Sequence, residues 1–434
     1  MDKFKSFLMM IVYTVTVITL CAPLQTFAQL ATPDYSGSLW TRSTLTGDWG
    51  GTRNELAKKG IIFKASVTEI YQGNFTDGST GDEYWRNSGS ADYEMDLDFG
   101  KLGLWQRGFL KVRGMSNYRK SINSVAGSIM PVNSAALFPW PNGNYTGLTD
   151  FMFMQFLSDN FGLLAGKMNT LSGDPNEFAH DYKTQFLNTA FLINPVTFRT
   201  CPYSSVAIGA IVHNKVAEFN LNVMDTEGRA TKSGNKTAMH NGTTVASQLR
   251  FKTCIAGLPG HQTFGGTWSN KKFNDLDQDP RTILSQILLP NRDIPLKTYK
   301  DSWSFFYNMD HYLYLKEGST DQGFGVFARY GVSDGKANPI KYFASFGIGG
   351  KGMIPGRCQD TFGVGYYHAW LSNRIPDIAY KNLLNGNEQG GELYYNIYLT
   401  PWLQLTPDLQ IIQSANQLVD NTVIVGGLRM QVNF

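Results

Sequence analysis

The chain has 434 residues, with 38 Lys and Arg against 35 Asp and Glu, 13% aromatic residues and 44 glycines. Its near-balanced charge argues against a nucleic-acid partner or a polybasic membrane anchor, since neutralising phosphates takes a clustered cationic surface. After residue 28 no apolar stretch approaches the ~20 residues of a membrane-spanning helix. Apolar residues that are abundant yet dispersed fit strands with one apolar face.

At the start, Lys3 and Lys5 precede an apolar run from Phe7 to Leu24 and the small-residue ending Thr26-Phe27-Ala28. This pattern predicts a secretory signal over 1–28. Thr14, Thr16 and Thr19 interrupt the run and no stop-transfer charges follow, which argues against a retained anchor; bulky Leu20 argues against lipidation of Cys21. With Asp2, Lys3 and Lys5 removed, 36 basic and 34 acidic residues remain, a net charge of +2. A periplasmic N-terminal segment is expected over 29–60, with a short helix from Asn54 to Lys59 at the periplasmic rim or in the pore mouth.

Alternation begins at 61. From Ala91 to Phe99 it places Tyr93, Met95, Leu97 and Phe99 on one face and Asp92, Glu94, Asp96 and Asp98 on the other, a period of two that no helix produces. It recurs with Phe219, Leu221 and Val223 against Glu218, Asn220 and Asn222, and with Leu393, Tyr395 and Ile397 against Glu392, Tyr394 and Asn396. The same pattern predicts strands near 61–73, 91–100, 108–118, 150–158, 161–169, 204–212, 216–224, 244–255, 261–269, 301–314, 322–331, 341–350, 360–370, 390–400, 403–411 and 422–434. An even number near sixteen suits an all-β, transmembrane antiparallel barrel over 61–434. The connections support it, short ones such as Ser158-Asp159-Asn160 and Pro401-Trp402 alternating with long polar ones at 119–149, 170–203, 225–243, 270–300 and 371–389. With the first strand rising from the periplasm, every long loop lies outside the cell.

The last strand sets Leu428, Met430, Val432 and Phe434 against Arg429, Gln431 and Asn433. A terminal Phe on such a strand is similar to the signal read by barrel-assembly machinery, so that machinery and outer-membrane lipid of a Gram-negative cell are the expected partners. Cys201, Cys254 and Cys358 show no C-x-x-C spacing, which leaves any pairing open and assigns no metal or cofactor site. H-E-x-x-H is absent and the six His are scattered, so an enzyme is not expected; an outer-membrane hydrolase with a rim site is the alternative.

Several motifs resemble the carbohydrate-selective porins of the OprB family. They start with Leu45-Thr46-Gly47-Asp48-Trp49-Gly50-Gly51-Thr52-Arg53 and continue through Gly166-Lys167 and Phe186-Leu187-Asn188. The densest run from Gly323-Phe324-Gly325 through Gly331, from Gly347 to Gly352 and from Asp360 to Tyr366. The close runs from Glu392-Leu393-Tyr394-Tyr395 through Pro407-Asp408 to Gly427-Leu428-Arg429 and Phe434. Cys358 departs from the pattern, standing where a proline is expected after Gly356-Arg357. The resemblance implies a monomeric sixteen-stranded barrel through which glucose and related small sugars diffuse passively; a general or anion-preferring porin is the alternative.

A sugar pore needs polar and aromatic partners that do not hold the solute for long. Facing acidic and basic side chains serve, because each sugar hydroxyl both donates and accepts. The acidic candidates Glu94 and Asp96 precede a strand carrying Lys111 and Arg113 inward, while Lys167, Arg250 and Lys252 stand further round. The third outer loop, 170–203, is the expected constriction, with Asp174, Glu177 and His180 as polar groups and Phe178 and Phe186 as stacking surfaces. For each charged candidate the competing role is an ordinary ion pair within the wall.

Overall fold

The computed structural model describes residues 30–76, 84–141, 143–170, 174–228, 230–232, 238–288, 294–376, 384, 386–417 and 422–434. The secretory signal expected at 1–28 lies outside them. Sixteen antiparallel strands form one closed barrel: β1 Ile61–Asn74, β2 Tyr84–Asp98, β3 Gly108–Tyr118, β4 Tyr145–Phe156, β5 Phe161–Met168, β6 Ser205–His213, β7 Ala217–Asp225 and β8 Thr243–Ile255, then β9 Leu258–Ser269, β10 Ser302–Leu315, β11 Gly323–Ser333, β12 Ile340–Lys351, β13 Thr361–Leu371, β14 Glu388–Thr400, β15 Leu403–Gln413 and β16 Thr422–Asn433. Each strand pairs with its neighbours in chain order, and β16 returns to β1 with Ser66 opposite Asn433 and Asn74 opposite Val425. Closure satisfies every strand edge, which an apolar surrounding demands.

The alternation sorts as expected. Tyr93 and Leu393 are each 51% exposed on the outer face, whereas their neighbours Asp92 and Glu392 turn inward and are 6% and 2% exposed. Two strands start earlier than the sequence suggests, and each has a local cause. In β2 the outward positions from Asn87 to Ala91 carry no large apolar side chain, and Gly89 lies under the Tyr118 ring. In β4 a bulge opposite Arg113 and Gly114 breaks the period of two.

The short connections, among them 157–160, 214–216, 256–257 and 401–402, share one end of the barrel, and the long ones share the other. The long connection 270–301 adds a two-stranded ribbon, Phe273–Asn274 with Thr298–Tyr299, and a helix at Pro280–Leu288.

Residues 30–60 cross the short-connection end at the seam between β1 and β16. Their helix, α1, spans Thr52–Lys58. Arg53 is buried beneath it, its guanidinium 3.9 Å from the Tyr35 ring centre, donating to the carbonyls of Phe63 at 2.7 Å and Phe434 at 2.8 Å. The Leu30 amide donates to Asp98 and the Trp402 indole to the Leu39 carbonyl, which ties the segment to the rim at two further points.

Candidate pore constriction

The inward faces of β1 to β3 form a lattice of opposite charges. Backbone register places Glu94 opposite Arg113 and Asp96 opposite Lys111, yet the side chains bond one step along the diagonal. Lys111 reaches Glu94 at 3.0 Å, and Arg113 reaches Asp92 at 2.6 Å. Lys64 on β1 bridges Glu94 and Asp96 at 2.7 Å each. Lys183, from the long loop 169–204, caps Asp92 at 2.8 Å. Four cations thus face three carboxylates, and Lys64, Asp92, Glu94, Arg113 and Lys183 among them line a cavity of about 410 Å³ together with Tyr35, Ser43, Thr44 and Arg53 of the N-terminal segment.

Glu94, Asp96, Lys111 and Arg113 therefore come together as the alternation suggests. Lys64 was missed although its parity with Ile62 and Ser66 is readable in β1; Lys183 was missed because an irregular loop has no period to extrapolate.

Residues 174–204 of the long loop fold into the lumen and pack on the inner wall from β10 to β16. Phe186 meets Tyr394 at 4.8 Å and Phe327 at 5.4 Å between ring centres, Phe191 meets Tyr367 at 5.9 Å, and Phe178 meets Tyr312 at 4.9 Å. The wall makes room with glycine. A methyl carbon at Gly363 would stand 2.7 Å from the Phe186 ring, and one at Gly325 would stand 2.6 Å from Phe178. Buried wall side chains fasten the backbone of the loop. The Glu392 carboxylate accepts the amides of Leu187 at 2.5 Å and Asn188 at 2.8 Å, and Arg429 donates to the carbonyls of Tyr182 and Gln185 at 2.7 Å each. Glu388, four residues before Glu392 on β14, receives the amides of Ile129 at 2.6 Å and Met130 at 2.8 Å from the loop 119–144.

The remaining candidates are mostly absorbed by this anchoring. Asp174 takes two bonds from Arg329, at 2.7 and 2.8 Å, and Glu177 accepts the Tyr312 hydroxyl at 3.0 Å. Arg250 donates to the Pro175 carbonyl at 2.8 Å and Lys167 to the Lys232 carbonyl at 2.6 Å. Phe178 and Phe186, expected as stacking surfaces, are sealed against glycines and rings and offer no face to a solute. Lys252 stands exposed on the inner face of β8 and apart from the lattice. Cys201, Cys254 and Cys358 are unpaired, and burial pushes the Cys201 thiol up to about 11.

Residues 82–434 match the model of the carbohydrate-selective porin, OprB family. The chain belongs to that family. The porin is 23% identical to Porin B of Pseudomonas aeruginosa, the alignment covering 90% of this chain and 91% of the relative. It is 22% identical to the putative porin QuiX of Acinetobacter baylyi, over 91% of this chain and 93% of that one. Its fold matches a solved structure of Pseudomonas putida OprB at high pH with a TM-score of 0.80 and 22% identity, covering 92% of this chain and all of the other. The porin is a carbohydrate channel of the Gram-negative outer membrane. The glycine-rich runs of β11 to β13 that carry the family resemblance are thus the runs that receive the rings of the long loop.

Proposed function

We propose that the porin passes glucose-sized sugars without chemical change, and that the charged lattice on β1 to β3 is where they shed and regain water. The observation that carries this reading is the bond pattern of Lys64, Glu94, Lys111, Asp92, Arg113 and Lys183 beside a cavity of sugar size. Each of these groups has a partner, so none demands a counter-ion of its own. A hydroxyl can borrow a donor or an acceptor from the row and return it at little net cost. Liposome swelling tests the reading: glucose should enter faster than an amino acid of equal size, and equal rates would remove the sugar preference. The excess of one cation in the lattice favours a second, compatible property, a weak anion preference visible as a reversal potential in a salt gradient.

The long loops lie outside the cell and residues 30–60 lie in the periplasm, as short periplasmic turns in bacterial barrels would have it. A peptide tag inserted beside the exposed Trp140 should be reached by antibody on intact cells, and one in 316–322 only after the outer membrane is breached. Residues 1–28 direct secretion, the strand ending in Phe434 is presented to the assembly machinery, and the outward apolar side chains meet lipid.

A further inference from the structure

The outer wall of the barrel is not convex throughout. Where β1, β2 and β3 run side by side, a groove of about 500 Å³ opens on the face that carries the exposed Tyr93, away from the lumen. Its floor is low because register sets Ala65 opposite Tyr93 and Tyr93 opposite Gly114, so two places in the outward row hold a methyl group or nothing. A methyl carbon at Gly114 would find no atom nearer than 3.7 Å, so the protein leaves that space unfilled. One side of the groove comes from outside the barrel. Trp49 of the N-terminal segment holds a left-handed φ of 54°, costly for a bulky residue, and its ring centre stands 6.1 Å from that of Phe63 and 4.9 Å from the Arg53 guanidinium. Phe434 lines the groove with it.

The groove continues the wall that an outer-membrane barrel turns to hydrocarbon. Nothing apolar is driven together there by water, so what fills the groove is decided by packing, and a side chain facing a void forfeits its dispersion contacts. A second copy of the barrel would bring a convex wall, which cannot reach a floor recessed between Trp49 and Tyr93, and a specific pairing of two chains needs about 1,600 Å² of matched surface. One flexible, unbranched chain meets the shape. Its depth is marked by Phe99, whose ring centre lies 4.6 Å from Trp105 and 5.9 Å from Phe153 at the short-connection end, aromatic residues of the kind that gather at headgroup level. Resting on the orientation proposed above, which makes that end periplasmic, we propose that the groove retains one acyl chain of a phospholipid from the periplasmic leaflet. The chain lies over Ala65 and Gly114 with Trp49 as its clamp, so the N-terminal segment holds a lipid against the strands beside the seam.

Native mass spectrometry tests this on the whole porin, loaded with dioleoyl phosphatidylethanolamine and then exchanged into lipid-free detergent. The wild type should keep one lipid per barrel. Gly114→Leu and Ala65→Leu fill the groove from two different strands, and each should cut the retained fraction roughly tenfold, which corresponds to about 1.4 kcal/mol. Phe346→Ala, which alters an exposed outward side chain on β12 across the barrel, should leave retention unchanged. If one filled variant does not fold, the other carries the test. A wild type that keeps no lipid would overturn the proposal, as would retention that survives in every folded filled variant, or a dimer in place of the lipid. A tag in 316–322 reached on intact cells is a failure of the orientation; correctly placed tags without a retained lipid sink the groove alone.

Discussion

Asp92 is the joint at which the barrel wall and the loop inside it share one charge. It receives Arg113 from the neighbouring strand and Lys183 from the loop, and both pairs are largely shielded from water. Replacing Arg113 by Ala leaves a carboxylate with half its partners in a site of low dielectric. Removing one member of a shielded pair costs about 3 kcal/mol. We expect R113A to lower the denaturant midpoint of the detergent-solubilised barrel accordingly and to shift the reversal potential toward cations, because one positive charge leaves the lattice. An unchanged midpoint and an unchanged potential would place Arg113 outside the constriction. At this scale the sequence was legible wherever parity applied: Glu94 and Arg113 share a face because their strands alternate in step. Lys183 was not legible, since what brings it to Asp92 is the path of a loop.

At the scale of the element, the loop and its receiving strands form one unit that neither would hold alone. The glycines of β11 to β13 are conspicuous in the sequence but show no purpose there, because a missing side chain leaves no period and names no partner. The purpose appears only when the rings of Phe178, Phe186 and Phe191 are seen in the space. Gly363→Leu should therefore push Phe186 off the wall, at a cost of about 2 kcal/mol for overpacking. The single-channel conductance should change while the antiparallel ladder persists in circular dichroism; unaltered conductance would mean that the loop does not set the pore width.

The long loops are clipped to one another as well. Asp275 accepts Arg374 at 2.9 Å and has Lys297 at 3.9 Å. Partial burial favours the protonated acid, but the Arg374 bonds outweigh it and hold the carboxyl below its usual range. A carboxyl depressed in the folded state contributes stability above its unfolded value, near 3.9, and loses it as the pH falls through the folded value. Pepsin should thus cut within 270–301 only as the pH drops below about 4, and Asp275→Asn should be cut throughout the working range of the protease. Cleavage of the wild type that ignores pH would break the link between this pair and the loop.

For the whole molecule, the closed barrel could be read from the sequence because apolar side chains recur at alternate, outward positions in most strands, even where rings and glycines line the inner wall. The last strand shows it in its second half, with Leu428 and Met430 outward and Arg429 and Gln431 buried inward. Closure itself is the costly step, since β1 and β16 are the two strands farthest apart in the chain and their meeting waits on all the others. Arg53 sits at that junction and donates to a carbonyl on each side of it, Phe63 within β1 and Phe434 just beyond β16, while Thr44 takes a third bond at 3.0 Å. A buried hydrogen bond from a charged donor contributes about 2 kcal/mol, so losing this set should cost more than any one rung of the ladder. Arg53→Met should lower the temperature at which the compact electrophoretic form is lost and should expose residues 30–60 to protease. Arg53→Lys should fall between the two, because one ammonium lacks the fork that spans both carbonyls. If the methionine variant melts like the wild type and its N-terminal segment stays protected, the seam is held by its ladder alone and the segment is a passenger on it.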